Sequence, residues 1–188
     1  CLRDSGMVAI AHAGWVWTWT VVFALALDAL VRAFGLGEGW RHAAFVLPLL
    51  VVHVLCLRAP QLVALPIGER FEGGRALLLL SQAGMLGLAF IIGLASSGAS
   101  TPLPFLPLLN PLEIAAIGIL LVLAIGLREA GTLATWRPLI LAVAGFAFVT
   151  MATLRAAHQL GGVPWNEAML SSTLVQTSLT VVWSVLGV

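Results

Sequence analysis

The chain reads as an all-α, polytopic transmembrane helical bundle of about six membrane-spanning helices, and three observations carry that reading. First, 61% of its 188 residues are hydrophobic and only 9% are charged, against about 25% charged in a soluble domain. So little polar surface cannot cover a globule in water. Second, several apolar runs approach the roughly 20 residues that cross a bilayer. Third, the charges gather between those runs, in segments rich in the prolines and glycines that end helices.

The first helix is expected over residues 8–31. Trp15, Trp17 and Trp19 lie near one end as boundary anchors, and Asp28 pairs with Arg32 at i, i+4. His12 is one more polar side chain near the boundary. Residues 35–40, GLGEGW, form a flexible connection; with no strand before it, this is not a dinucleotide fingerprint. The second helix occupies 42–57, between Arg41 and Arg58. It holds Pro48 and His53 and reaches only about 24 Å at 1.5 Å per residue. His53 reads as a hydrogen-bonder within the bundle.

Residues 59–75, with two prolines and the Glu69, Arg70, Glu72, Arg75 cluster, form an aqueous or interfacial loop. The third helix, 76–96, carries no charge, and Ala83, Gly84, Gly87 and Gly93 offer small surfaces for helix packing. A proline-rich but greasy interfacial loop follows at 97–111. It belongs at the membrane surface or folded back into the protein, because irregular backbone is not tolerated against lipid. Asn110-Pro111-Leu112-Glu113 starts the fourth helix with Asn at the N-cap, Pro at the first position and Glu at the third. That helix covers 112–127 and closes at Arg128 and Glu129, with Gly131 behind. The fifth runs from Pro138 to Leu154, with a possible extension to Leu160 capped by Gly161-Gly162. The sixth is expected over 166–188.

Six crossings put Arg3, Arg58, Arg70, Arg75, Arg128 and Arg137 on one face and Arg32, Arg41 and Arg155 on the other. The excess of arginine places the N-terminus in the cytoplasm. All nine basic residues are arginine, which coding bias explains better than ligand recognition. The net charge of +1 gives no broad field, so no nucleic acid is expected as a partner. Cys1 and Cys56 suggest no disulfide framework. The chain begins without Met and stops inside an apolar run, so residues 1–188 read as a single membrane-embedded domain, an excerpt of a larger polytopic protein.

Alternating crossings bring the loops before helices four and six to one face. Asn110 and Glu113 then approach Arg155, His158, Asn166 and Glu167. Arg155 and His158 share a helical face at i, i+3 and could hold an anionic head group. The simpler reading is that both meet the negative end of their own helix. Asn166 and Glu167 after Pro164 fit a helix start, beside Trp165. On helix six, Ser172, Gln176, Thr180 and Ser184 recur every four residues as a polar stripe, which packs on another helix or lines a polar cavity. No zinc spacing, nucleophile elbow or phosphate loop is present, so no cofactor and no metal ion is expected.

Residues 105–116, PFLPLLNPLEIA, and the stretch from Arg155 to Val188 resemble a bacterial inner-membrane family of many-helix predicted membrane proteins, domain of unknown function 2339. Asn110, Pro111, Glu113, Arg155, His158, Trp165, Ser172, Gln176 and Trp183 carry the likeness. The resemblance implies a long membrane protein and no reaction. The leading functional reading is therefore an unassigned helical-bundle portion of a large, envelope-associated, multi-pass protein of the bacterial inner membrane. Its expected partners are membrane lipids and further transmembrane helices of the same or another chain. A transporter or channel module with a polar path along helix six is a second reading. A membrane-embedded transferase acting on lipid-linked or envelope polymers at the extracytoplasmic face is a third.

Overall fold

A computed structural model describes residues 2–128, 131 and 133–187. Cys1, Glu129, Val188 and the Arg3 side chain named above lie outside the description. Among the described residues there are helices and no strand. In order they are α1 (Leu2–Ala33), α2 (Glu38–Arg58), the single turn α3 (Pro60–Val63), a 3-10 turn (Gly68–Phe71) running into α4 (Glu72–Ala95), α5 (Pro111–Gly126), α6 (Leu133–Gln159), a second 3-10 turn (Glu167–Ser171) and α7 (Thr173–Leu186).

Among the described residues, four helical stretches are long and apolar enough to cross a membrane: Gly6–Ala33, Glu38–Arg58, Gly68–Ala95 and Ala134–Gln159. α5, with 16 residues, and α7, with 14, reach about 24 and 21 Å at 1.5 Å per residue, short of the roughly 30 Å hydrocarbon core. α7 is shorter than the sequence suggested because residues 166–172 do not continue a helix. The Asn166 side chain caps the 3-10 turn through the Ala168 amide at 3.0 Å, and the Ser171 hydroxyl donates to the Ala168 carbonyl at 2.6 Å. Such short polar side chains offer the backbone an alternative to the helical ladder.

Other helices outrun their expected limits. α2 starts at Glu38, because the amides of Gly37 and Gly39 donate to the carbonyls of Thr101 and Ala99, each at 2.9 Å. GLGEGW is thus a fastened helix entry and not a free hinge, and the 21 residues of α2 make about 31 Å. α1 begins at Leu2, ahead of its buried Ala9 and His12, and the His12 ring meets the Val63 carbonyl at 2.7 Å. The three tryptophans therefore lie toward the middle of α1, not at its boundary. α6 starts before Pro138, which near the helix start deprives only one carbonyl of its partner. It ends at Gln159, with Gly162 in the left-handed region at φ 68°.

Consecutive long helices run antiparallel. Arg41 meets Asp28, Arg75 meets the carbonyl of Cys56, Arg137 meets that of Ala124, and Trp183 meets Thr150. α5 enters the middle, packed on α2, α4 and α6. Val46, Leu49, Leu86, Phe90, Ile119 and Phe148 form the central core. Outer faces remain apolar: Trp15, Phe23, Leu80, Ile91, Leu121, Val143 and Val181 are all exposed. Exposed grease on every long helix suits hydrocarbon and not water. The connections near residues 34–37, 96–110 and 160–172 share one end, called the upper end below, and the connection near 59–71 and the end of α5 near 127–128 lie at the other.

Candidate functional site

The upper end is built on the loop that follows α4. Its first part, residues 96–101, folds inward, and every carbonyl from Ser96 to Thr101 but that of Gly98 accepts a hydrogen bond. Ser97 receives Gln159 Nε2 at 3.2 Å, Ala99 and Thr101 receive the glycine amides of α2, and Ser100 receives Trp40 Nε1 at 3.1 Å. Its second part turns outward, with Leu103, Leu106, Leu108 and Leu109 at least half exposed. A proline-broken backbone thus has its polar groups turned to protein and its leucines turned out.

The loop closes on the start of α5. The Asn110 side chain accepts from the Glu113 amide at 3.1 Å and Pro111 follows at the first helical position. Glu113 does not complete the capping box. Its Oε2 accepts instead from the amide of Leu108, which sits at φ 66°, a left-handed conformation that costs a non-glycine residue about 1–2 kcal/mol.

Arg155, one turn before the end of α6, is the largest fully buried side chain at 1% exposure, and Glu113 is at 0%. Its Nε donates to the Ser96 carbonyl at 2.9 Å, one terminal nitrogen to Gly93 at 2.6 Å and Leu94 at 3.3 Å, and the other faces Glu113 Oε1 at 3.8 Å. The last carbonyls of a helix have no partner within it and carry partial negative charge. Arg155 meets two of them on α4, those of Gly93 and Leu94, together with the carbonyl of Ser96 just beyond, while it faces the Glu113 carboxyl group. Gly98 makes the fit possible: it stands at φ 71°, and a Cβ there would fall 2.9 Å from Arg155 Cδ. The same device recurs at the lower end. Arg75 Nε donates to Cys56 O of α2 at 3.0 Å and Arg137 Nε to Ala124 O of α5 at 2.9 Å. Sequence reasoning missed this recurrence, although arginines beside apolar runs were its visible trace.

The other named residues do not converge on this cluster. His158 Nδ1 donates to Val163 O at 2.6 Å and its ring lies 5.6 Å from that of Trp165, whose Nε1 donates to Ala95 O at 3.3 Å. Arg155 and His158 thus leave α6 for different tasks. Asn166 and Glu167 are exposed and border a small hollow of about 200 Å³ with Met151 and Met169. On α7, Val175 and Leu179 are buried, whereas Gln176, Thr180 and Ser184 are exposed and Ser172 half-buried. Gln176 Nε2 donates to Leu170 O at 3.0 Å and Thr180 Oγ1 to Gln176 O at 2.8 Å. The stripe therefore faces outward from this chain. His53 and Gln82 are buried mid-helix, and His53 Nδ1 and both polar atoms of the Gln82 amide lack a hydrogen-bond partner among the described residues.

Beside the cluster, α1, α2 and α4 frame a cleft of about 490 Å³ lined by Asp28, Glu38, Arg41, His42 and Ser96 above and Leu25, Phe45 and Ile92 below. Asp28 pairs with Arg32 and, at 3.0 Å, with Arg41 Nε. Glu38 Oε2 accepts from Ser97 Oγ at 3.3 Å.

Comparison with curated proteins and with solved structures finds no match. A family model described as a predicted membrane protein, DUF2339, matches residues 2–188. Apolar rods, inward-turned irregular backbone and arginine-satisfied helix ends agree with that description, and the chain belongs to the DUF2339 family of predicted membrane proteins.

Proposed function

We propose that this chain is a scaffold module of a multi-pass protein of the bacterial inner membrane, with Arg155 as the clamp that closes its upper end. The burial of Arg155 carries the reading: at 1% exposure its Nε and one terminal nitrogen donate to the carbonyls of Ser96, Gly93 and Leu94, and the other terminal nitrogen is shut in 3.8 Å from Glu113 Oε1. A guanidinium so committed is a poor receptor for a lipid-linked substrate, which needs free donors and an open approach. In this reading all six longer helices cross the bilayer, N-terminus in the cytoplasm. α5 needs no full lipid-facing length because most of it packs on α2, α4 and α6, and the 3-10 turn before α7 extends that crossing. The outward stripe of Gln176, Thr180 and Ser184 then meets a further helix of the same or another chain, since hydroxyls and amides gain by pairing across helices in lipid.

Arg155→Lys in the full-length protein tests the assignment. Lysine keeps the charge but lacks the planar fork that reaches several carbonyls. A clamp predicts reduced folded yield and earlier thermal unfolding in detergent. A fully stable variant that has lost only a catalytic or head-group function would favour the transferase reading.

A further inference from the structure

We infer that the cleft between α1, α2 and α4 is a binding site for one phospholipid with a primary-amine zwitterionic head group, phosphoethanolamine in chemistry. The cleft is amphipathic in a consistent direction. On each wall an apolar side chain lies about one helical turn deeper than a polar one: Leu25 below Asp28 on α1, Phe45 below Arg41 on α2, Ile92 below Ser96 on α4. Leu25, Phe45 and Ile92 are 57%, 39% and 58% exposed, so the lower part presents uncovered hydrocarbon surface where acyl chains begin. The upper part lies level with the helix ends, where head groups are.

The charges select the head group. Asp28 pairs with Arg32 and Arg41 and Glu38 lines the same rim, so the rim carries both signs of charge and is not purely cationic. Arg41 spends its Nε on Asp28, and among the described residues its terminal nitrogens make no hydrogen bond. They form an open fork for a phosphate. Glu38 gives Oε2 to Ser97 and leaves its other oxygen free of a hydrogen bond among the described residues. That oxygen and the Asp28 carboxylate can accept the N–H groups of an ammonium. An anionic head group without an amine would set its charge against both carboxylates. A quaternary ammonium has no N–H to give.

The test uses full-length protein purified in detergent and returned to nanodiscs holding equal parts phosphatidylethanolamine, phosphatidylglycerol and phosphatidylcholine, with retained lipid read by native mass spectrometry. The expected result is one retained phosphatidylethanolamine per chain, at least fivefold over either competitor. Arg41→Ala should lose at least fivefold of that retention, and Glu38→Gln should erase the preference for the amine over phosphatidylcholine. Arg58→Ala, at the opposite end, should change neither. Helical content and monodispersity establish that each variant is folded, and Arg41→Lys, which keeps a phosphate-binding charge, should retain more lipid than Arg41→Ala. Equal or greater retention of phosphatidylglycerol, or wild-type retention in folded Arg41→Ala and Glu38→Gln, overturns the proposal.

Discussion

At the residue scale, the upper end depends on one long side chain reaching the carbonyls of Gly93, Leu94 and Ser96 at the end of α4. Gly98 shows how tightly the surroundings are set. Replacing it with alanine places a Cβ at φ 71° and 2.9 Å from Arg155 Cδ. Left-handed backbone costs alanine about 1–2 kcal/mol, and the arginine must shift as well. Gly98→Ala should therefore lower stability by about that amount. Gly84→Ala should be neutral or slightly stabilising, because an added Cβ there meets nothing within 4 Å and alanine is the better helix former. Detergent-phase unfolding of the two variants checks the contrast. The sequence exposed half of this arrangement. Asn110, Pro111 and Glu113 announced a helix start, and Arg155 suited a helix C-terminus. What it hid was the identity of the helix: Arg155 meets the end of α4, some sixty residues earlier, because α6 runs parallel to α4 and reaches the same level.

At the element scale, helix limits were set by tertiary partners that local pattern does not display. α2 gained its first turn from loop carbonyls at Ala99 and Thr101, and α7 lost two turns to a 3-10 segment between Asn166 and Ser172. Periodicity found the stripe on α7, but not which side of the helix faces out. Val175 and Leu179 are its buried face, and Gln176 and Thr180 lie on the other. Gln176→Leu removes one exposed hydrogen bond, to Leu170 O, and should therefore cost this chain's own stability no more than about 1 kcal/mol. It should weaken association with a further helix by roughly 0.6–2 kcal/mol, the range for polar contacts across membrane helices. Comparing thermal unfolding with site-directed cross-linking through a cysteine placed at Thr180 separates the two effects.

At the scale of the whole molecule, solvent explains the architecture. Leucines, isoleucines and aromatics cover the outside of the long helices, so polar backbone at the helix ends must find partners within the protein. Three arginines supply them: Arg75 for α2, Arg137 for α5 and Arg155 for α4. Composition alone revealed the class of fold, because 9% charge over 188 residues leaves no other solvent. It did not reveal that some of those few charges serve helix ends instead of water. Among the described residues four helices are long and apolar enough to cross unaided, and α5 and α7, at 16 and 14 residues, fall short of the bilayer by length alone.

The most direct measurement is a double-mutant cycle on the full-length protein in detergent, following unfolding of wild type, Arg155→Met, Glu113→Leu and the pair. Leaving a buried charge without its partner costs about 3–5 kcal/mol. Each single substitution should destabilise on that order, and the double should fall short of their sum by at least about 1 kcal/mol. Single effects below about 0.5 kcal/mol, or strict additivity, would contradict a clamp built on this pair.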